Sequence, residues 1–303
     1  MLLRLGESRR VPATFTQRLP EASRGKPSTM QPTDGGAVLA HGRPVPDALD
    51  ASPGGLSDRI AQVLGDHHPV TVAIWIALVG TAIMGVIMVG LGLLLTHVLA
   101  GGGVGSWDER VNTWFVARRT PMLDTLTSYF TTVGTTVTVM AVALVSVIVL
   151  ATRRLWREVG LIVIALSVEV VVFLATTLVV SRPRPTVPRL DPSPPTSSFP
   201  SGHTAAAIAL WVALAIVVTM HVRNAVVRTI VWVVAVGLPI LVGLSRLYRG
   251  MHHPTDVMAS LVLGVGAIVT AVVAVRTAAR VHEVREYPPA AAGAPDTTVA
   301  VRT

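Results

Sequence analysis

Cysteine is absent from this 303-residue chain, and charged and aromatic side chains are scarce. The lack of cysteine excludes disulfides, iron–sulfur clusters and thiolate zinc sites. Charged residues make up 14% of the sequence, whereas a soluble domain carries about 25%. The mean hydropathy is +0.61. These values exclude an ordinary water-soluble enzyme, because too few charges are available to cover its surface.

The positive charge of the chain is not arranged for nucleic-acid binding. Lys and Arg outnumber Asp and Glu by 25 to 17, which gives a formal net charge of +8. Nucleic-acid sites cluster such charges on one face and place aromatic side chains among them. Here the arginines fall in short gaps between apolar runs, and aromatic residues amount to 5%. We therefore expect no nucleic-acid partner and assign the surplus charge to loops and lipid head groups.

Six apolar runs of about 18–25 residues are long enough to cross a bilayer, which takes a helix of about 20 residues. Polar residues, Gly or Pro bound each run, so every run can satisfy its backbone hydrogen bonds as a helix within lipid. The sequence therefore predicts an all-α fold, a bundle of six transmembrane helices. The predicted helices cover residues 71–95, 130–151, 159–180, 202–220, 229–245 and 255–275.

The segments before and after these runs are expected to be disordered. Residues 1–66 are rich in Pro, Gly, Ser, Asp and Arg, and residues 281–303 form a second Pro/Ala-rich tail. Arg4 interrupts the short apolar stretch after Met1, so no signal peptide is expected. The predicted membrane domain is residues 67–280.

Arginines between the helices predict the orientation of the bundle. Those in the connections 152–157 and 221–228, and those after the last helix, are typical of cytoplasmic loops. An even number of spans places both termini on that side, so we predict a multi-pass protein of the cell membrane with cytoplasmic termini. The arginines concerned are Arg153, Arg154, Arg157, Arg223, Arg228, Arg276 and Arg280.

Residues 101–126, between the first two spans, interleave large apolar side chains with charged ones. This pattern predicts an amphipathic helix that lies on the membrane interface. A role in substrate gating is the alternative.

Three polar clusters fall at helix ends on the predicted extracytoplasmic side. The first, Ser181-Arg182-Pro183-Arg184-Pro185, follows the third span. The second, Pro200-Ser201-Gly202-His203, opens the fourth span. The third joins the last two spans and contains Ser245-Arg246, His252 and Asp256.

The first two clusters and Arg246 contain residue types that bind phosphate. Ser201 and Gly202 at a helix start offer free N–H groups and the positive end of the helix dipole to an anion. Arg184 and Arg246 offer planar forks for phosphate oxygens and stay charged at physiological pH.

Two histidines add groups that can react with a bound phosphate. Asp256 lies four residues after His252, a spacing that on a helical turn holds one imidazole nitrogen and leaves the other free as a nucleophile. His203, at the mouth of the anion site, is placed to protonate a leaving oxygen. Each cluster alone has an ordinary structural explanation, but their agreement in type, spacing and side favours a functional site.

The second and third clusters resemble two signatures of the type 2 phosphatidic acid phosphatase (lipid phosphate phosphatase) superfamily. Pro200-Ser201-Gly202-His203 matches the second signature, and Ser245-Arg246-x5-His252-x3-Asp256 matches the third. Arg184-Pro185 matches the end of the first signature. The resemblance covers the six predicted spans and implies the six-helix fold of that superfamily.

The resemblance also implies a metal-independent phosphoryl transfer that needs no cofactor. On this mechanism His252 attacks phosphorus, His203 protonates the leaving oxygen, and Asp256 orients His252. The remaining site residues hold the phosphate oxygens, and they are Arg184, Arg246 and the amides of Ser201 and Gly202.

One position departs from the family pattern. The first signature has a lysine seven residues before its Arg-Pro, where this chain has Thr177, and the chain's one lysine is Lys26. We expect Arg182 to supply the missing cation, with Arg189 or Arg249 as alternatives.

The predicted function is an integral membrane phosphatase that hydrolyses a lipid phosphate or diphosphate. Candidate substrates are phosphatidic acid, phosphatidylglycerol phosphate and polyprenyl phosphates or diphosphates. One alternative is a lipid-linked phosphotransferase. The other is a non-catalytic lipid-phosphate binder, and the loss of the family lysine favours this second alternative. Three further polar residues are predicted to be structural: Ser245, Glu169 as a buried packing residue, and His253 as a helix cap out of register with Asp256. For Glu169, contact with a lipid substrate or a place in a proton path is the alternative.

Overall fold

The computed structural model describes residues 48–193 and 196–286, and within these ranges all regular structure is helical. A π-helical turn, Leu94–Leu99, extends the second helix. The predicted all-α class is confirmed. The helices of the described ranges are α1 (Leu56–Leu64), α2 (Pro69–Leu93), α3 (Gly103–Val116), α4 (Pro121–Val133), α5 (Thr136–Thr152), α6 (Trp156–Val179), α7 (Gly202–His221), α8 (Ala225–Tyr248) and α9 (Pro254–Glu286).

Five helices have the length and apolar content of membrane spans, namely α2 with its π-helical turn, α6, α7, α8 and α9. A sixth span is present if α4 and α5 are taken together, and these two helices are bent by 44° at their junction. Gly134 ends α4, and the Thr135 hydroxyl accepts from the N–H of Thr138 to begin α5. The predicted run 130–151 therefore includes a break that its apolar composition concealed. The chain is a multi-pass membrane protein.

Helix α9 lies at the centre of the bundle and packs against α2, α6 and α7. Gly264 of α9 faces α7 so closely that a Cβ there would stand 2.6 Å from Cβ of Ile208. One buried apolar cluster surrounds Leu161 and Leu210, and a second surrounds Phe199 near the end of the bundle where α7 begins. The outer faces of the spans carry exposed large apolar side chains, as expected of surfaces in contact with lipid.

The N-terminal tail predicted over residues 1–66 is not wholly disordered. Residues 56–64 form α1, whose Ala61 is buried in a small cluster with Val72 of α2 and Val281 of α9. Asp58 of α1 accepts a hydrogen bond from Arg280 Nε at 2.9 Å. A helix of this length among Pro and Gly residues presents too few apolar positions to be recognised from sequence.

The C-terminal boundary also differs from the prediction, because α9 continues six residues past residue 280, to Glu286. Residues 1–47 and 287–303 of the predicted tails lie outside the described residues.

Candidate functional site

Four helix ends meet at one end of the bundle and bring the three polar clusters together. The chain leaves α6 at Val179 and returns at Ser201 to begin α7, while a short turn joins the end of α8 to the start of α9. Hydrogen bonds connect these two segments. Arg184 Nη1 donates to the Met251 carbonyl at 2.8 Å, and the Leu190 N–H donates to the Arg249 carbonyl at 3.1 Å.

His252 is buried in the turn before α9, and its environment defines which ring nitrogen is free. Nδ1 lies 2.7 Å from the carbonyl oxygen of Ser198. Because a carbonyl oxygen can only accept, Nδ1 carries the hydrogen of the neutral ring and Nε2 keeps its lone pair. Burial, and then the positive charges of Arg246 and Arg184, lower the pKa of His252 to about 3. At physiological pH the ring is therefore neutral.

Asp256 does not make the direct hydrogen bond to His252 that its spacing predicted. Its Oδ2 is 3.9 Å from His252 Nδ1, but accepts from Ser198 Oγ at 2.6 Å. The same oxygen accepts from the His253 N–H at 2.8 Å and lies 3.2 Å from His253 Nδ1, so His253 is in register with Asp256 after all. The predicted pairing of His252 with Asp256 assumed that both lie on one helix, but α9 begins at Pro254, after His252. Asp256 is thus linked to His252 through Ser198.

Arg182 faces carboxylates, and this geometry does not fit its expected role as the extra phosphate cation. Its Nη2 donates to Asp108 at 2.8 Å, while Nη1 donates to Thr255 Oγ1 at 2.8 Å and to Asp256. The guanidinium is almost fully buried and lies between the two carboxylates. It neutralises charges that would otherwise be buried without a counterion.

The start of α7 places different amides at the site than the sequence predicted. Ser201 is fully buried, and its N–H donates to the Asp256 carbonyl at 3.4 Å, so this amide points into α9. At Gly202 a Cβ would stand 2.8 Å from the Phe173 ring, which requires glycine there. The next N–H groups, of Gly202 and His203, have no acceptor within the helix and remain available to an anion.

His203 and His252 share the same pair of arginine neighbours. The charged groups acting on the half-buried His203 are Arg246, Asp191 and Arg184, and both arginines also act on His252. The Nε atoms of Arg184 and Arg246 are buried without a hydrogen-bond partner in the described part of the chain. Buried donors of this kind are what phosphate oxygens accept from.

Asp191, which the sequence analysis did not single out, bridges two arginines at the edge of the site. It accepts from Arg246 Nη1 at 2.9 Å and from Arg249 Nε at 2.8 Å. Burial raises the pKa of the Asp191 carboxyl, but the contacts with Arg249 and Arg246 outweigh burial and leave the pKa below its usual value. Asp191 lies in a Pro-rich connection without periodicity, so no sequence signal pointed to it.

Helix α3 contributes to the wall of the site. Residues 101–126, predicted as one interfacial helix, form α3 and the beginning of α4, and Asp108 and Asn112 of α3 are fully buried. Asp108 accepts from Thr255 Oγ1 at 2.7 Å. Neither polar atom of the Asn112 side chain has a partner among the described residues. Trp107 and Trp114 remain exposed, which fits an interfacial position for the rest of the helix.

Three other polar residues have simple surroundings. Ser245 Oγ donates to the Val242 carbonyl at 2.7 Å, which is a structural contact within α8. Thr177 Oγ1 donates to the Leu174 carbonyl at 2.9 Å. Glu169 is buried in the middle of α6, with 3% of its surface exposed.

Comparison with known sequences identifies the domain that carries this site. Residues 158–280 match the sequence profile of the PAP2 superfamily. This segment extends from α6 into α9 and includes all three polar clusters. Undecaprenyl-diphosphatase BcrC of Bacillus subtilis (strain 168) is 40% identical over 93 residues, which are 29% of this chain and 43% of that protein. The match thus spans less than half the length of this curated relative.

A solved crystal structure of a membrane phosphatase supports the fold of the bundle. The crystal structure of a transmembrane PAP2 type phosphatidylglycerolphosphate phosphatase from Bacillus subtilis superimposes with a TM-score of 0.53 at 22% identity. The superposition covers 67% of this chain and 94% of that one. LpxE of Aquifex aeolicus gives a TM-score of 0.43 at 24% identity, over 53% of this chain and 92% of that one.

Proposed function

We propose that the protein is an integral membrane phosphatase that removes phosphate from a lipid phosphate or diphosphate through a phosphohistidine intermediate. The observation that carries this proposal is the buried, neutral His252, whose Nδ1 is held by the Ser198 carbonyl and whose Nε2 is left as a nucleophile. The match of residues 158–280 to the PAP2 superfamily and the similarity to an undecaprenyl-diphosphatase support it.

In the first step Nε2 of His252 attacks phosphorus, and the bond between phosphorus and the leaving oxygen breaks. His203 donates its proton to that oxygen. Arg184, Arg246 and the N–H groups at the start of α7 hold the other phosphate oxygens, because phosphoryl transfer is accelerated mainly by positioning and charge stabilisation. Ser198 keeps the His252 ring in place.

In the second step a water molecule attacks phosphorus and the P–N bond breaks. His203, now neutral, accepts the proton of the water, and inorganic phosphate is released. The residues named supply a nucleophile, a proton donor and positive charge, so the proposed reaction needs no metal ion.

We also propose the orientation of the protein in the cell membrane. The site lies at the end of the bundle opposite the connections that carry Arg153, Arg154 and Arg223, and opposite Arg228 in the first turn of α8. Short arginine-rich connections are characteristic of the cytoplasmic side. The site therefore faces the extracytoplasmic side, and both termini are cytoplasmic.

The function is tested by measuring phosphate release by the detergent-purified chain in EDTA, from phosphatidic acid, phosphatidylglycerol phosphate and polyprenyl phosphates and diphosphates. We expect release from at least one of these lipids, and His252→Ala is expected to lower it by more than about a thousandfold. His282→Ala, an exposed histidine near the end of α9, is the control and should retain full activity. Activity that requires an added divalent metal, or that survives in His252→Ala, would contradict the proposal.

A further inference from the structure

The arginines around the connection between α6 and α7 differ in how they are neutralised. Arg182 is held by Asp108 and Asp256, as described above. Arg249 is held on the other side of the site, where its Nη2 lies 2.5 Å from Asp191 Oδ1. Both guanidinium groups are thus occupied by carboxylates of the chain itself.

Arg189 lies in the same connection but has no such partner. Its side chain is exposed, and it makes no hydrogen bond or ion pair with any residue of the ranges 48–193 and 196–286. Its charge is therefore available to a second anionic group, beside the phosphate that Arg184 is proposed to hold.

The backbone on both sides of Arg189 is fixed against the turn that carries His252. The Leu190 N–H donates to the Arg249 carbonyl at 3.1 Å. On the other side, the Pro188 carbonyl oxygen lies 2.9 Å from where a Cβ on Gly250 would stand, and Gly250 has a φ of +70°. This close approach requires glycine, so the connection and the turn hold each other in place. Both residues adjacent to Arg189 are consequently fixed against the turn that carries His252.

The charge of Arg189 acts on Arg184, which belongs to the phosphate site. Burial, and then the positive charge of Arg189, lower the pKa of Arg184. Arg184 is half-buried and contacts the residue before His252, whereas Arg189 is exposed. The charge of Arg189 therefore reaches Arg184 from the exposed surface beside the phosphate site.

We propose that Arg189 binds the second phosphate group of a lipid diphosphate and makes the site selective for diphosphates. This inference rests on the proposed function. When Nε2 of His252 attacks the terminal phosphorus, the bond to the bridging oxygen breaks and a lipid monophosphate leaves with the proton of His203. Arg189 contacts the phosphate group of that leaving monophosphate, whose negative charge increases as the bond breaks. A lipid monophosphate has no group at this position.

The test compares two substrates that share one lipid chain, farnesyl diphosphate and farnesyl phosphate, on the purified full chain. Arg189→Gln removes the charge and nearly preserves the length of the side chain. We expect kcat/KM for farnesyl diphosphate to fall by about 10–100-fold, the range expected for a lost hydrogen bond to a charged group, and kcat/KM for farnesyl phosphate to change by less than about threefold. Arg189→Lys should recover part of the loss.

Inhibition by inorganic anions gives a second measurement that does not depend on turnover of the lipid diphosphate. The inhibition constant of pyrophosphate, measured against farnesyl phosphate, should rise in Arg189→Gln, while that of phosphate should stay unchanged. Arg223→Gln, at the opposite end of the bundle, also removes one positive charge and is the control. It should leave kcat/KM unchanged for both substrates.

The outcomes separate this inference from the proposed function. If both substrates lose activity equally in Arg189→Gln, or neither does, or if the wild-type chain hydrolyses only farnesyl phosphate, the inference is wrong while the phosphatase assignment stands. If the wild-type chain hydrolyses no lipid phosphate or diphosphate, the proposed function itself fails.

Discussion

His252 and His253 are adjacent in sequence, and their hydrogen bonds give them different properties. His252 Nδ1 is paired with a backbone carbonyl, which leaves Nε2 as an unprotonated nitrogen. His253 Nδ1 faces the Asp256 carboxylate, and its Nε2 lies 3.5 Å from Glu109. Both ring nitrogens of His253 thus face carboxylate oxygens and are not free to attack phosphorus. The contacts of the two residues therefore favour His252 as the reacting histidine.

The low pKa of His252 predicts a pH-dependent loss of stability. The folded-state pKa is about 3 against an ordinary value of 6.5, so the unfolded chain binds the proton more readily. The contribution of neutral His252 to the free energy of unfolding is therefore fully present above pH 6.5, and it is lost as the pH falls from 6.5 toward 3. Relative to His252→Asn, which keeps a donor near the Ser198 carbonyl, the wild-type chain should lose about 2 kcal/mol between about pH 7.5 and about pH 5. Thermal unfolding of both proteins at the two pH values measures this, and parallel curves would contradict it.

The position of Arg182 between Asp108 and Asp256 predicts that its loss acts on stability. Arg182→Met removes the counterion of two buried carboxylates and should destabilise the fold by about 3–5 kcal/mol. Thermal unfolding and steady-state kinetics on the same preparation distinguish this role from phosphate binding. If the melting temperature were unchanged and only KM rose, Arg182 would be a ligand of the substrate phosphate.

At the scale of helices, the site depends on how α9 is seated in the bundle. Its first turn carries Asp256, and Ser260 Oγ donates to the Ser201 carbonyl at the start of α7 at 2.8 Å. One turn further on, Gly264 allows close contact with Ile208 and with the Ala205 carbonyl. Small residues at such contacts are what lets membrane helices approach closely. Packing of α7 on α9 thus fixes His203 relative to His252.

Two glycines of α9 provide a matched test of this packing. In Gly264→Ala the new methyl group meets Cβ of Ile208 and a backbone carbonyl, which cannot move easily, so we expect a loss of about 1–3 kcal/mol and reduced activity. In Gly266→Ala the methyl group meets the flexible end of Met84, which can rotate away. Melting temperatures and phosphate release should therefore fall clearly more in the first variant. Equal effects would contradict a specific α7–α9 contact.

The sequence predicted the helices, and the shared location of the three polar clusters, better than it predicted the contacts within those clusters. Apolar runs define the spans because lipid forces each backbone segment to satisfy its own hydrogen bonds. The contacts of Asp191, Asp108 and Ser198 could not be predicted, because each joins segments that are distant along the chain. The carboxylate partners of Arg182 could not be predicted for the same reason, since both lie 74 positions away along the chain.

For the whole molecule, arginines at the two ends of the bundle have different partners. At the site end Arg184 and Arg246 keep unsatisfied buried donors. At the opposite end Arg157, Arg276 and Arg280 bind residues of the segment before α2, including Asp50 at 3.0 Å from Arg157. The free donors of Arg184 and Arg246 can bind the phosphate of the proposed substrate. The three arginines at the opposite end instead hold the segment that precedes α2.

The absence of cysteine makes the predicted orientation directly measurable. Thr125→Cys is exposed near the start of α4 at the site end, and Arg223→Cys is exposed between α7 and α8 at the other end. In intact cells a membrane-impermeant maleimide should label the first variant, and it should label the second only after permeabilisation. The unaltered chain, which has no thiol, controls for background. Labelling in the reverse order would place the site on the cytoplasmic side.

The most direct test of the mechanism is to trap the phosphorylated protein. Rapid denaturation during turnover of a lipid phosphate or diphosphate labelled with ³²P in the group that is transferred should yield a phosphoprotein whose label is lost in acid and retained in base. Mass spectrometry should place the phosphate on His252, and His252→Ala should trap none. Label on another residue, or turnover by His252→Ala, would contradict the assignment of His252 as the nucleophile.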